Sequence, residues 1–237
     1  MFTSITTGST PPFIRHFDMG WINPFPSLSY CLVTFSVHHY QDRLFEEFDI
    51  PFPCQLKMAV VKRKAEYLAA RYAAQRVLLA GGCDRIPTTS SDRSPIWPPG
   101  WCGSLSHTHE YAVAVVSPSE SNLTPGIDIE VSSPDIMQKT AHIFACTDEL
   151  DLFVTSDISY ATALLVAFSA KESLFKALYP EVGRFFNFDV AKVCEIEPLN
   201  QEITMELTQT LTPNRVKGLK IKGYYFFLNG KVITLVA

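Results

Sequence analysis

The stretch GIDIE, Gly126–Glu130, opens a new element at the midpoint of the chain, directly after the connector SPSESNLTP of Ser117–Pro125. Isoleucines alternating with acidic residues over Gly126–Val131 predict a short strand. On such a strand Asp128 and Glu130 leave one face, while Ile127 and Ile129 leave the other, towards a core. On the C-terminal side a helix is predicted over Ala161–Leu178, free of Gly and Pro inside and ending before Pro180. Strands follow at Ile203–Leu207 and in GYYFFLNGKVITLV, where Asn229-Gly230 is a two-residue hairpin signal. On the N-terminal side a strand is predicted at Tyr30–His38 and a long helix from Lys57 to Ala80, rich in Ala, Leu, Arg and Lys and stopping at Gly81-Gly82. A Pro/Ser/Gly-rich segment, Ile86–Gly103, then leads to a strand at Tyr111–Val116. The order is β, α, β and then β, α, β, β, with no sequence repeat between the halves.

With 237 residues, 47% of them hydrophobic, the chain can bury a sizeable core in one domain or in two small halves. A formal net charge of −4 and a pI near 5.9 argue against general nucleic-acid binding and leave room for local basic patches only. Six cysteines (Cys31, Cys54, Cys83, Cys102, Cys146, Cys194) lie far apart, without a CxxC pair or a histidine at zinc-finger spacing. They are expected to be buried thiols of a reducing compartment. Met1–Gly20 lacks a basic-then-apolar signal pattern, being interrupted by Pro11, Pro12, Arg15, His16 and Asp18, and no apolar run reaches about 18 residues. A soluble, cytoplasmic protein without a transmembrane segment is expected.

Candidate chemistry gathers at three places. Asp128 and Glu130 can share one hard cation, or can simply be the solvated face of a strand. In FSAKESLFK, Phe168–Lys176, Glu172 and Lys176 stand four apart on one helical face with Lys171 adjoining, a spacing that also suits an ordinary ion pair. Phe168, Leu174, Phe175 and Leu178 make this helix apolar, so its charges are expected near a core edge or a cleft. In GSLSHTH, Gly103–His109, preceded by Arg93, Pro95 and Trp97, Ser106 and His107 are read at a loop-to-strand junction. There hydroxyl, imidazole and backbone N–H groups can donate to phosphate oxygens. A Ser-His nucleophile pair competes with that reading, although no G-x-S-x-G elbow surrounds Ser104 or Ser106, and so does a purely structural histidine.

Four motifs in order, RKAEYLAAR (Arg63–Arg71), GSLSH (Gly103–His107), GIDIE and FSAKESLFK, together resemble the surfactin-type members of the 4′-phosphopantetheinyl transferase superfamily. Within it they are most similar to the siderophore branch typified by enterobactin synthetase component D. The resemblance runs from about Tyr30 to Phe188 and departs at Phe168, where the family often has Trp, and at Ala70, where it often has Gly. It implies an α+β fold of two similar α/β subdomains, residues 1–117 and 118–237, related by a pseudo-twofold axis, each a small sheet packed on a long helix. Coenzyme A would lie between them.

The resemblance further implies transfer of the 4′-phosphopantetheine group from coenzyme A to a serine of an apo carrier protein, with release of 3′,5′-ADP. Asp128, Glu130 and Glu172 would be the Mg²⁺ ligands, and Arg63, Arg71, Arg93, Ser106, His107, Lys171 and Lys176 would hold coenzyme A. Glu172, Lys176 and His107 would take part in catalysis, Glu172 as a metal ligand first and as the base second. Arginine suits phosphate because its planar fork donates two parallel hydrogen bonds. The expected partners are apo carrier domains of nonribosomal peptide, polyketide or fatty-acid synthases, in siderophore synthesis, with a monomer as the working unit. Trp97–Trp101 and the loop after Cys146 are the candidate docking surfaces. A magnesium-dependent nucleotide hydrolase and an inactive coenzyme A-binding module are the alternative functions.

Overall fold

The structure, a computed structural model, describes residues 2–131 and 133–237. Its first unit, Met1–Leu123, opens with a meander of three strands, β1 (Phe2–Thr10), β2 (Ile14–Ile22) and β3 (Phe25–Phe35). A short helix α1 (Leu44–Glu47) and the long helix α2 (Val61–Ala80) follow. Next come the two-residue strands β4 (Thr88–Thr89) and β5 (Pro95–Ile96), and then the hairpin of β6 (Trp101–Thr108) and β7 (Tyr111–Pro118). The main sheet is five-stranded and antiparallel in the order β1-β2-β3-β7-β6. Helix α2 packs across it with Leu68, Ala69, Ala73, Ala74 and Val77 buried, small side chains that let helix and sheet approach closely.

Three sequence expectations change here. Strands β1 and β2 were not expected; β1 buries no side chain, and the buried Ile14, Phe17, Met19 and Ile22 of β2 depart from strict alternation, with register shifts at both ends of the strand. Strand β3 starts five residues before Tyr30, where residues 25–29 extend its pairing with β2, and it ends at Phe35 because Val37–His39 forms a turn of 3₁₀ helix. Helix α2 starts at Val61 and not at Lys57, since Lys57 N–H and Ala59 N–H close a preceding 3₁₀ turn onto the carbonyls of Cys54 and Leu56 at 3.2 and 3.0 Å.

The second unit, Thr124–Ala237, begins with β8 (Gly126–Val131) and the helices α3 (Pro134–Phe144), α4 (Thr147–Thr155) and α5 (Tyr160–Val182). Strands β9 (Ala191–Glu197), β10 (Glu202–Leu207), β11 (Lys220–Leu228) and β12 (Lys231–Val236) complete an antiparallel sheet in the order β8-β12-β11-β10-β9. Each unit is thus a small antiparallel sheet packed on a long helix, the α+β class. Asn229 (φ 48°) and Gly230 (φ 75°) form the β11–β12 turn with both residues left-handed, as the hairpin signal requires. Helix α5 runs past Leu178 with Pro180 in its last turn; Gly183, at φ 67°, ends it and donates to the Tyr179 carbonyl at 2.9 Å.

Gly126 fixes how α5 meets β8. A Cβ at Gly126 would stand 1.9 Å from the Ser173 carbonyl oxygen and 2.5 Å from the Ala177 nitrogen, so only glycine lets the helix backbone come this close. No helix among the described residues is long and apolar enough to cross a membrane. All six cysteines are free, but only Cys31 is buried; Cys54 and Cys146 are exposed, against the expectation of a uniformly buried set.

Candidate active site

The close approach at Gly126 brings the FSAKESLFK face of α5 onto GIDIE. Asp128 is buried at 3% exposure, and Lys176 Nζ pairs with its Oδ1 at 2.7 Å while also donating to the Ile127 carbonyl at 3.0 Å. Ser169 Oγ donates to Asp128 Oδ2 at 2.8 Å. Behind Ser169, Thr234 Oγ1 lies 2.9 Å away, and Ser173 Oγ stands 2.7 Å from Thr234 Oγ1 and donates to the Thr234 carbonyl at 2.9 Å. Thr234 sits directly opposite Asp128 in the β12–β8 register. Ile127 and Ile129 are fully buried, but on the sheet face opposite α5, which they share with their register partners Leu235 and Ile233. The core between α5 and the sheet is built on the Asp128 side, with Val232 and Val236, so the expectation that the isoleucines face that core is corrected.

Glu130 and Glu172 stand close enough to Asp128 to feel its charge. Burial, then Asp128 and Glu172, pushes the Glu130 carboxyl up to about 7, with Lys176 opposing. Burial also holds Glu172 above the usual carboxylate range, Lys176 opposing and Asp128 adding. Among the described residues no three His, Cys, Asp or Glu side chains are gathered closely enough to hold a metal ion as they stand. The donor set is nevertheless all carboxylate oxygen with a surplus of negative charge, which fits a hard divalent cation and does not fit a soft one.

A pH dependence follows. Glu130 in the folded chain keeps a proton that the unfolded chain, with a carboxyl near 4.5, has already released, so this contribution to stability is full below about 4.5 and is lost as pH rises through about 7. The melting temperature of the metal-free protein is therefore expected to fall between about pH 5 and about pH 8, and Glu130→Gln to flatten that fall. Parallel curves for the two proteins would show that Glu130 is not the group responsible.

Lys171 does not join this set, although the resemblance placed it at the substrate. Its ammonium is buried and pairs with Glu149 Oε1 at 2.7 Å, and it donates to the carbonyls of Phe144 at 2.6 Å and Phe188 at 3.4 Å. Glu149 in turn accepts from Val193 N–H at 2.8 Å and Cys146 N–H at 2.9 Å. One buried ion pair thus ties α3, α4, α5 and β9 together one residue before Glu172. Beside Glu172 opens a cavity of about 140 Å³ lined by Phe175, Phe185, Phe186, Phe188 and Asn187. Phe168 packs against Phe144 and Phe188 at 5.3 and 5.6 Å between ring centres and so retains an aromatic anchor.

The basic residues gather in the first unit. Arg63, Tyr67 and Arg71 share one face of α2 at helical spacing. Arg63 Nη1 lies 2.7 Å from His107 Nε2, and His107 Nδ1 is 3.6 Å from Glu66 Oε2. A guanidinium only donates, so Nε2 accepts and the neutral ring carries its proton on Nδ1, towards Glu66. Arg71 is buried and stacks on Tyr67, its carbon 4.6 Å from the ring centre, while Nη2 donates to the Thr88 carbonyl at 3.3 Å and to Thr89 Oγ1 at 2.9 Å. Burial foremost, with Arg63 adding, lowers its affinity for a proton. Arg71 therefore anchors the β4–β5 ribbon, whose turn carries exposed Arg93 at φ 72°.

The GSLSH motif is the interior of strand β6 and not a loop junction. Alternation then puts His107 on the face turned to α2 and the buried Ser106 on the other, so the structure does not bring these neighbours to one point. His107→Ala is expected to lower coenzyme A affinity about tenfold with the melting temperature within about 2 °C, since a half-exposed strand residue contributes little to packing. Unchanged affinity with a large loss of stability would assign it a structural place instead.

Sequence reasoning missed Glu66, Tyr67, Glu149, Ser169, Ser173 and Thr234. Glu66 and Ser169 lie inside quoted motifs, where helical spacing was a usable signal; Thr234 and Glu149 carry none, because only strand register and helix docking bring them in. Both proposed docking surfaces change as well. Trp97 and Trp101 pack against the core of the first unit, and Cys146 is followed by helix α4 with no loop between.

Comparison with known proteins agrees with the fold. Residues 52–117 match the model of the 4′-phosphopantetheinyl transferase N-terminal domain, and residues 124–235 match that of the 4′-phosphopantetheinyl transferase superfamily. Enterobactin synthase component D of Salmonella typhi is 33% identical over 197 residues, 81% of either chain. Its counterpart in Escherichia coli (strain K12) is 37% identical over 129 residues, 54% of this chain and 61% of the relative. The 4′-phosphopantetheinyl transferase Svp of Streptomyces mobaraensis is 28% identical over 213 residues, 84% of this chain and 83% of the relative. The fold and these matches define a group-transfer enzyme that uses coenzyme A. The chain belongs to the 4′-phosphopantetheinyl transferase superfamily, whose reaction moves the 4′-phosphopantetheine group from coenzyme A to a carrier protein.

Proposed function

We propose that the enzyme modifies carrier domains of siderophore synthesis in the cytoplasm, as a monomer, using Mg²⁺ held by Asp128, Glu130 and Glu172. The observation that carries the cation site is the convergence of GIDIE and Glu172 through the Gly126 contact, with carboxyls raised by burial and mutual repulsion. The siderophore setting is supported by likeness to the enterobactin synthase components. Free cysteines and an intracellular substrate support the location.

Arg63 and His107, with Arg93 on the ribbon that Arg71 anchors, form the basic site for coenzyme A phosphates. The apolar cavity beside Glu172 suits the dimethyl-bearing start of the pantetheine arm, which adjoins the reacting phosphate. The carrier serine oxygen forms a bond to that phosphorus, the bond to 3′,5′-ADP breaks, and the leaving phosphate takes the electron pair. Glu172, made more basic by burial, accepts the serine proton, and Lys176 offsets charge on the phosphates. A bound Mg²⁺ would supply neutralisation of charge on the pyrophosphate.

Intact-mass measurement of apo peptidyl, aryl and acyl carriers, after incubation with the protein, coenzyme A and Mg²⁺, tests this reading. A gain of one phosphopantetheine on siderophore carriers ahead of acyl carriers is expected. Hydrolysis of coenzyme A without carrier modification would favour the hydrolase alternative.

A further inference from the structure

We propose that Lys176 is a built-in stand-in for the cation: in the metal-free protein its ammonium neutralises Asp128, and the arriving divalent ion displaces it towards the phosphates of the substrate. This rests on the reading of Asp128, Glu130 and Glu172 as cation ligands.

The two oxygens of Asp128 are held differently. Oδ2 accepts from Ser169, whose hydroxyl is braced by Thr234 and Ser173 in a chain of short contacts that crosslinks α5 to β12. All of these groups are buried, so the Oδ2 side is rigid. Oδ1 meets Lys176, whose side chain is 25% exposed and ends on a flexible four-carbon stem. The hydroxyl chain therefore fixes the carboxylate, and the lysine is the contact able to give way.

Charge sets the direction. Three carboxyls and one ammonium leave a local negative surplus, which a divalent ion would remove while releasing Lys176. A released ammonium beside the cation finds its next partner in the substrate phosphates. Cation and lysine thus compete for Asp128, and a competitor lowers the apparent affinity by the fraction of chains in the competent arrangement.

The test uses Mn²⁺ as the probe, with free ion read by electron paramagnetic resonance in the absence of coenzyme A. Lys176→Gln is expected to bind Mn²⁺ more tightly, by about tenfold, and coenzyme A more weakly. Ser169→Ala, which leaves Oδ2 without its fixed donor, is expected to bind Mn²⁺ more weakly. Equal or weaker Mn²⁺ binding by Lys176→Gln would overturn the proposal.

If Lys176→Gln does not fold, nitrogen-15 NMR of the lysine ammonium groups in the native protein gives a second reading. Mg²⁺ is expected to shift the Lys176 signal without substrate present, and an unmoved signal at Mg²⁺ saturation would refute displacement. Wild-type protein that binds no Mn²⁺, with or without coenzyme A, would remove the cation reading itself and the proposal with it.

Discussion

Asp128→Asn is expected to lower transfer at least about a hundredfold, the loss typical when a charge that organises a phosphoryl-transfer site is removed, while the chain stays folded. The amide keeps the shape of the carboxyl, and its oxygen still accepts from Ser169. Its nitrogen would face Lys176 Nζ, now 2.7 Å from Oδ1, and two donors cannot share that contact. Lys176 is partly exposed and can turn to water at modest cost. Loss of one carboxylate also relieves Glu130, whose raised value owes part of its shift to Asp128. The melting temperature without ligands should therefore move by only a few degrees. Mg²⁺ with coenzyme A should stabilise the wild type more than coenzyme A alone, and most of that extra shift should vanish in Asp128→Asn. Full activity together with an intact Mg²⁺-dependent shift would reject Asp128 as a ligand.

Glu149→Ala is expected to be the most destabilising single change in the second unit, by about 3–5 kcal/mol, because it strands a buried ammonium. Lys171 would retain only the carbonyls of Phe144 and Phe188, and the N–H groups of Val193 and Cys146 would each lose an acceptor. For a unit of this size such a loss lowers the melting temperature by more than about 10 °C, read by calorimetry. Replacing both partners, Glu149→Leu with Lys171→Met, should recover part of the loss, since the charge is gone but the two backbone donors remain unsatisfied. Lys171→Met alone should change kcat through the placement of Glu172 more than it changes KM for coenzyme A. A melting temperature within about 2 °C of wild type in Glu149→Ala, with a sharp rise in that KM in Lys171→Met, would return Lys171 to the phosphates.

The regular elements were legible where periodicity was strong and punctuation clear. The α2 and α5 helices, the GIDIE strand and the Asn229-Gly230 hairpin stand close to where their patterns put them. The failures have local causes. The first strand is rich in serine and threonine and buries no side chain, and the second buries Ile14, Phe17, Met19 and Ile22 at irregular spacing where its register shifts, so neither shows a clean alternation. GSLSH reads as a loop because Gly and Ser are poor strand formers, yet it is held in the sheet by β7 along its whole length.

The sequence by itself determined the acid and base inventory, the two long helices with the GIDIE strand between them, and the family, but not the element order, since the strands β1, β2 and β9 and the helices α3 and α4 were not expected. Those depend on residue identity and on spacing along one element, and both are properties of the chain. Tertiary structure decided which groups meet. Strand pairing put Thr234 opposite Asp128, and the missing Cβ at Gly126 let α5 descend until Ser169 and Lys176 reached the same carboxylate. The turn of that helix also gave two adjacent residues different partners, pairing the Lys171 ammonium with buried Glu149 and leaving Glu172 under the charges of Asp128 and Lys176, although both line the cavity. Neighbours on a helix point about 100° apart, so proximity in sequence gave them similar expectations, and the packing around α5 gave them different surroundings.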